Sequence, residues 1–383
     1  MDHPMFTKEH LALRKVIRNF FQQEVVPYLN KWEEDGEIPR SLFKKMGDLG
    51  FFTFLFSEED GGSGKDYIAA GILNEELGYT GSGGIAASIG VHLGIATPPI
   101  ANFGNKEQKE KYLKPAIAGE IVGALAVTEP GAGSDVASLR TIAKRDGDYY
   151  ILNGSKVFIT NGVYADFYVV AAKTAPEKGY KGISLFIVEK NRPGFIVNKK
   201  LDKIGLRLSD TAELFFDEVQ IPKSQILGTE NQGFYMIMHN FQWERLMIAL
   251  NSIGIAERAY QLALRYSKER IQFNKHLHEM QVVRHKLVEM KVEIEKARYL
   301  TYQALYLMAQ GKEAVTETTM AKLAASEMAH RVSYQAQQLF GGYGYMNESE
   351  ISRIWKDTRV NTIVGGTSEI MKEILAKKLI DES

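Results

Sequence analysis

The sequence predicts an α+β multidomain protein, with an N-terminal helical domain over residues 1–120, a middle antiparallel β domain over 121–230 and a C-terminal helical bundle over 231–383. Three observations carry this. The chain has 383 residues, more than a single hydrophobic core serves. Its apolar pattern is helical at both ends. Between them the texture changes to short β-branched and aromatic runs separated by turn dipeptides.

In the first region Leu13, Val16 and Phe20, and later Ile68, Ile72 and Leu77, recur at the spacing of one buried helix face. Turn chemistry at Glu59–Gly64 and Pro98–Pro99 marks breaks. In the second region the strands are Tyr149–Leu152, Lys156–Thr160, Phe167–Ala171, Ile183–Val188 and Ala212–Phe216. Asp146-Gly147, Asn153-Gly154 and Asn161-Gly162 suit turns that need positive φ, and the domain is a barrel or a sandwich. In the third region Val283, Leu287, Met290, Ile294, Ala297, Ala304 and Met308 form one stripe, the seam of nearly antiparallel packed helices.

Composition narrows the chemistry. Hydrophobic residues make up 45% and charged residues 25%, an ordinary globular balance. Lys+Arg and Asp+Glu are equal at 47 each, and no basic stretch forms a nucleic-acid groove. With no cysteine, disulfides, thiolate metal sites, Fe–S clusters and cysteine nucleophiles are excluded. The histidines form no short-spaced ligand pair, and His276 and His278 read as solvated surface, so no metal is expected. The first residues lack an apolar signal segment, and no window reaches ~18 consecutive apolar residues. A cytoplasmic protein without stable membrane insertion is expected, although a processed organellar chain would read the same. Catalysis then needs side-chain acids and bases or an organic cofactor.

Four segments could carry it. Leu125–Asp135 enters a glycine-rich turn in which Thr128 and Ser134 offer hydroxyls near exposed N–H groups; it reads equally as a hairpin capped by Ser134 and Asp135. It is not G-x-G-x-x-G opening a helix, so no Rossmann site is indicated. Lys156–Gly162 is a strand whose Phe158 and Thr160 face one side, fit for a flat heterocycle or simply one buried face. In Ile237–Ile248, Glu244 shares a helical stripe with Ile237, Phe241 and Ile248. A carboxylate there is desolvated and rises toward neutrality, as a general base requires, unless a cation across the bundle pairs with it. Gln337–Tyr345 and Arg359–Ile370 are glycine-rich breaks between helices. The second leads from Thr367 into an amphipathic helix whose N-terminus could face an anionic or carbonyl group, or both segments are helix caps.

Taken in this order, the four segments resemble the acyl-CoA dehydrogenases, most closely the long-chain type, over nearly the whole chain. The resemblance implies a helical domain, a β-barrel and a four-helix bundle, with FAD as cofactor and an acyl-CoA as substrate. It implies a homotetramer, a dimer of dimers, that passes electrons to an electron-transferring flavoprotein. Leu125, Val127 and Thr128 would lie near the flavin ring, Gly133 would allow close backbone approach, and Ser134 would lie near cofactor or thioester. Phe158 takes the place of the family's frequent tryptophan, and Thr160 matches a threonine that hydrogen-bonds the flavin edge. Arg270, Phe273 and Gln281 resemble the element that reaches the FAD of a neighbouring subunit, with Gln338, Gly341 and Gly342 as its counterpart. Thr367 and Glu369 complete the implied cofactor set, and Phe241 and Arg245 join Ser134 on the substrate side. The small residues of Gly81–Gly94 match the distal acyl pocket.

Two positions depart from the family pattern. Asn274 stands where glycine usually follows the phenylalanine, which puts the local turn in doubt. Gly365 stands where many members carry the catalytic glutamate. A subset, including the long-chain and isovaleryl types, places the base in the helix matching Trp243–Leu246, so the resemblance also points to Glu244. It assigns the Gly365 N–H, with a flavin ribityl hydroxyl, to the thioester carbonyl. Rival readings are a non-catalytic FAD- or CoA-binding homologue and an acyl-CoA oxidase.

Overall fold

The computed structural model describes residues 3–381; Met1, Asp2, Glu382 and Ser383, the outer ends of the first and third regions, lie outside it. The first region holds α1 (Lys8–Glu24), α2 (Leu29–Asp35), α3 (Arg40–Asp48), α4 (Tyr67–Tyr79), α5 (Gly83–Val91), α6 (Pro98–Phe103), α7 (Lys106–Gln108) and α8 (Lys114–Ile117). Thr7 caps α1: its hydroxyl accepts the His10 N–H and its own N–H donates to the His10 ring. The buried face of α1 is set by Ile17 and Phe21, with Leu13 and Phe20 packed beside them. Val16, expected on that face, is 56% exposed. At 100° per residue it lies at the edge of the arc the other four share.

The break at Glu59–Gly64 falls between α3 and α4. Pro98–Pro99 interrupts less than expected. From α5 the chain winds through a π-helical segment, His92–Ala96, bends at Thr97 and re-enters a helix with Pro98 at its first position, where a missing N–H costs nothing. Gly83–Phe103 is long and apolar enough by composition to cross a membrane, a property that counting consecutive apolar residues overlooked, and 78% of that window is buried inside the protein.

The second region contains β1 (Gly123–Ala126), β2 (Ile142–Asp146), β3 (Tyr149–Thr160), β4 (Phe167–Lys173), β5 (Ile183–Glu189), β6 (Phe195–Lys200), β7 (Thr211–Pro222) and β8 (Ile226–Leu227). They form one sheet in the order β6-β7-β3-β2-β4-β5-β8, antiparallel except where β1 runs parallel to β4 and β2 meets β4 at Ile142 and Lys173. The expected wholly antiparallel arrangement is thus mixed, because β1 enters from a helix and no hairpin reverses it. Asp146-Gly147 makes the β2–β3 turn. Asn153-Gly154 does not separate strands: it lies inside β3, at a register shift where Gly154 has φ 147°. Positive φ serves a bulge as well as a turn, and the dipeptide alone does not distinguish them.

The third region begins with α9 (Gly233–Glu269), followed by the strand pair β9 (Ile271–Gln272) and β10 (Lys275–His276), then α10 (Gln281–Ala309), α11 (Val315–Phe340), α12 (Glu350–Thr358) and α13 (Ser368–Ala376). The expected stripe on α10 is buried from Val283 to Ala304, with Met308 at its edge. The shorter α12 and α13 pack on α11, and α4 of the first region lies along α9. Phe273 and Asn274 are the two loop residues between β9 and β10, both left-handed at φ 53° and 59°. That is the pattern of a type I′ turn, and asparagine tolerates it, which answers the doubt raised by the missing glycine. All three regions meet at Asp357 on α12, whose carboxylate accepts the Gly83 N–H (2.9 Å) and the Leu206 N–H (2.6 Å).

Candidate active site

Glu244 lies three turns into α9 on the predicted stripe: Ile237 and Ile248 are buried, while Phe241 and Glu244 are half-buried. Opposite stands the turn before α13, where Gly365 and Gly366 are successively left-handed at φ 63° and 93°. A Cβ added to Gly365 would lie 3.5 Å from Glu244 Oε1 and 2.4 Å from Ile248 Cδ1. The helix position and the loop position therefore open on the same small volume. Among the described residues Glu244 makes no ion pair or hydrogen bond, so the alternative of a partner across the bundle is not realised. Burial pushes its carboxyl up to about 7, against the smaller opposing pull of Arg245 and Lys322.

Arg245 turns away toward α11. It is buried, its Nη1 donates to Thr319 Oγ1 at 3.4 Å, its guanidinium carbon lies 5.8 Å from the Phe241 ring centroid, and its Nε has no partner. From α11 comes Lys322, fully buried, whose ammonium donates to the Gly366 carbonyl at 2.6 Å. Burial lowers this lysine to about 8. Sequence reasoning missed it, although the signal that exposed Glu244 was present. Thr318, Lys322, Ala325, Ala329, Val332 and Ala336 repeat at steps of four and three and are all buried.

Two side chains of α9 occupy the space that small residues of the Gly81–Gly94 segment leave. A Cβ on Gly94 would meet Met247 Sδ at 2.7 Å and Trp243 Nε1 at 2.9 Å, and a Cβ on Gly90 would meet Met247 Sδ at 3.2 Å. Asn240 ties α9 to the π-helical segment by donating to the carbonyls of Gly94 (3.5 Å) and Ile95 (3.4 Å). Such π segments recur at functional sites.

On the sheet side, Leu125 and Thr128 are half-buried, Val127 is buried, and Gly133 and Ser134 are exposed. Leu125, Val127, Ile237 and Phe241 belong to one continuous hydrophobic cluster. A Cβ on Gly131 or Gly133 would touch nothing within 4 Å, so the loop faces open space. Beneath it, the fully buried Lys156 donates to Val127 O (3.0 Å) and Glu129 Oε1 (2.8 Å), and Glu129 also accepts the N–H groups of Arg140 and Thr141. A bulge between Lys156 and Ile159 leaves Phe158 left-handed at φ 60° and 67% exposed. An exposed phenylalanine in that conformation carries strain of about 1–3 kcal/mol. Lys156 points inward and Phe158 outward, so simple alternation fails across the bulge, while Thr160 remains half-buried beyond it.

The remaining predicted residues lie elsewhere. Arg270 just past the far end of α9, Phe273 in the β9–β10 loop and Gln281 at the head of α10 are exposed, as are Gln338, Gly341 and Gly342 at the end of α11. Tyr266 and Phe340, stacked at 4.2 Å, join these two ends. With ~1.5 Å rise per residue, Arg270 is roughly 39 Å along the helix from Glu244, more than one dinucleotide spans. Thr367 caps α13 by accepting the Ile370 N–H (3.2 Å), and Glu369 is exposed in its first turn, held low by its own N–H and the Thr367 hydroxyl.

Comparison with known proteins defines the class. The acyl-CoA dehydrogenase N-terminal, middle and C-terminal domain families match residues 7–120, 124–219 and 231–380. The chain belongs to the acyl-CoA dehydrogenase family of oxidoreductases and has its three-domain fold. It is 43% identical to the long-chain specific acyl-CoA dehydrogenase of Rattus norvegicus mitochondria, over 99% of this chain and 88% of that one. A crystal structure of acyl-CoA dehydrogenase from Geobacillus kaustophilus is 44% identical, with TM-score 0.95 over 99% of this chain and 100% of that one. More distant is the FAD complex of PigA, 31% identical with TM-score 0.95 and 100% coverage of both chains.

Proposed function

We propose that this protein is an FAD-dependent acyl-CoA dehydrogenase that converts an acyl-CoA to a trans-2-enoyl-CoA, with Glu244 as the base that removes the α-proton. The observation that carries the reading is the unpaired Glu244 carboxyl, raised to about 7 and directed at the Gly365 turn. A group with that pKa accepts a proton near neutrality without being exhausted by solvent protons.

The residues fit FAD. The open glycine loop of Leu125, Val127, Thr128, Gly133 and Ser134, the outward Phe158 and the nearby Thr160 offer an apolar face with hydroxyls at its edge. The PigA structure, with the same fold, is an FAD complex. When bound, FAD would supply the two-electron acceptor for the β-hydride, at flavin N5. The protein does the rest. The Gly365 N–H donates to the thioester carbonyl and stabilises the enolate-like charge as Glu244 takes the α-proton. Phe241 and Ile248 keep water from the carboxylate. Arg245 supports the wall, and Ser134 lies on the substrate side.

Arg270, Phe273 and Gln281, with Gln338, Gly341, Gly342, Thr367 and Glu369, are proposed to complete the cofactor site between copies of the chain. The roughly 39 Å between Arg270 and Glu244 along α9 supports a second copy of the chain at the cofactor, and the assembly proposed with it is the homotetramer, a dimer of dimers. The proposed domain limits remain 1–120, 121–230 and 231–383, the acceptor an electron-transferring flavoprotein, and the location the cytoplasm. The test is anaerobic titration of the purified yellow protein with acyl-CoAs of varied length and branching. Bleaching of the flavin is expected with at least one of them. No bleaching with any would replace the reading by a non-catalytic homologue, and peroxide release in air by an oxidase.

A further inference from the structure

The Gly365–Gly366 turn sets both the clearance in front of Glu244 and the direction of the Gly365 N–H. Consecutive left-handed glycines are the least restrained backbone a chain can offer, so other contacts must hold the turn. On one side the N–H groups of Ile363 and Val364 donate to Val360 O, and on the other Thr367 caps α13. Between these anchors the carbonyl of Gly366 accepts the ammonium of Lys322 at 2.6 Å.

Lys322 is conspicuous for its surroundings. It is fully buried on α11, and among the described residues no carboxylate lies within ion-pair distance of it. An ammonium kept from water without a counter-ion costs stability that a methionine or leucine there would not. The charged groups around this cluster are Glu244 and Arg245 on α9, Lys322 itself and Glu327 on α11, and Glu369 on α13. Arg245 is directed at Thr319, which leaves Lys322 as the cation that binds the turn itself.

We infer that Lys322 is a positioning residue: hydrogen-bonded to the Gly366 carbonyl, its ammonium fixes the Gly365–Gly366 turn against Glu244 and supplies positive charge that favours the ionised base. It acts through Gly366 and Glu244 and need not touch substrate. The donor and the charge are separable functions. A methionine in its place removes both, and a glutamine removes the charge while retaining an N–H donor.

The inference rests on the proposed dehydrogenase reading, and the experiment separates the two. Anaerobic flavin-reduction rates are measured against pH for the FAD-loaded wild type, Lys322→Met and Lys322→Gln. A wild type that no acyl-CoA bleaches sinks the functional reading itself. With an active wild type, Lys322→Met is expected to lose on the order of 100-fold on the alkaline plateau, the scale of a reacting group misplaced by about 1 Å. Its acid limb moves to higher pH, because a lost cation raises the carboxylate further. Lys322→Gln is expected to show the same upward shift with a plateau within about tenfold of wild type, since its retained donor still holds the turn and only the charge is gone. Wild-type rates and limbs in both variants overturn the inference. So does a uniformly slower enzyme with an unmoved limb, which assigns Lys322 to packing alone. If Lys322→Met does not fold with FAD, the limb of Lys322→Gln decides: shifted supports the inference, unshifted overturns it.

Discussion

Glu75 on α4 and Glu244 on α9, the helix that α4 lies along, are both carboxylates withdrawn from water, and the chain treats them in opposite ways. Glu75 receives Arg14 (3.0 Å), the Tyr302 hydroxyl (2.6 Å) and Arg298. Its neighbour Glu76 is held by Arg18 at 2.7 and 2.8 Å. Burial pushes Glu75 up, but Arg14 and Arg298 more than offset it and hold the carboxyl below its ordinary range. Glu244 has no such partner and rises to about 7. Burial alone therefore does not decide whether a carboxylate keeps its charge; the balance of burial against nearby donors does, and at Glu76 burial outweighs Arg18 and leaves the carboxyl above its ordinary range. The first cluster joins α1, α4 and α10, and the second leaves a carboxylate ready for a proton.

The largest expected effect comes from removing the unpaired acid. Glu244→Gln should slow flavin reduction on the order of 10²–10⁴-fold, the usual share of a general base, with FAD content unchanged. Wild-type reduction in that variant would break the contrast at once. The paired acid should answer in the other currency of stability. Arg298→Met leaves Glu75 short of a buried partner and should cost about 3–5 kcal/mol in denaturant unfolding, while the acid limb of flavin reduction stays in place. A moved limb would mean the two clusters communicate.

The pH dependence of stability sharpens the comparison, because the two acids have opposite signs. Glu244 goes from an ordinary 4.5 when unfolded to about 7 when folded, so the folded state binds more protons between those values. Its contribution to stability falls as pH rises through that window. Glu244→Gln should consequently unfold less readily than wild type above pH 7, by on the order of 1–3 kcal/mol. Glu75, depressed in the fold, contributes stability above its unfolded pKa and loses it as pH falls through its folded one. Denaturant midpoints against pH check both slopes, and a Glu244→Gln profile parallel to wild type would remove the elevated pKa. The smallest effect is a rescue. Gly365→Glu in a Glu244→Gly background should recover a minor part of the activity, because the new side chain reaches the same volume but must displace Ile248 Cδ1 and adopt φ 63°. Recovery to within about twofold of wild type would contradict the strain argued for that turn.

Much of this was legible in the sequence where one periodicity applied throughout. The helical stripe put Glu244 among apolar residues, and the same stripe geometry fixed the face of α10. The reading failed where a local signal had two physical solutions. Asn153-Gly154 announces positive φ, which a bulge consumed in place of a turn. Val16 sits at an arc edge that spacing alone does not resolve. Lys322 was legible by the rule that found Glu244, but it lies outside the four segments read for chemistry. The parallel pairing of β1 with β4 depends on contacts distant in sequence, which no local pattern encodes.

Asp357 has a consequence for how the molecule comes apart. One carboxylate takes an N–H from the head of α5 and another from the loop before β7, while its own helix belongs to the bundle. Loosening any one region strips this group of a donor in a place where water cannot replace it, and so weakens the grip on the others. Helices and sheet should then melt together, as a single heat-absorption peak, and the β edges should not be bared while the rest stands.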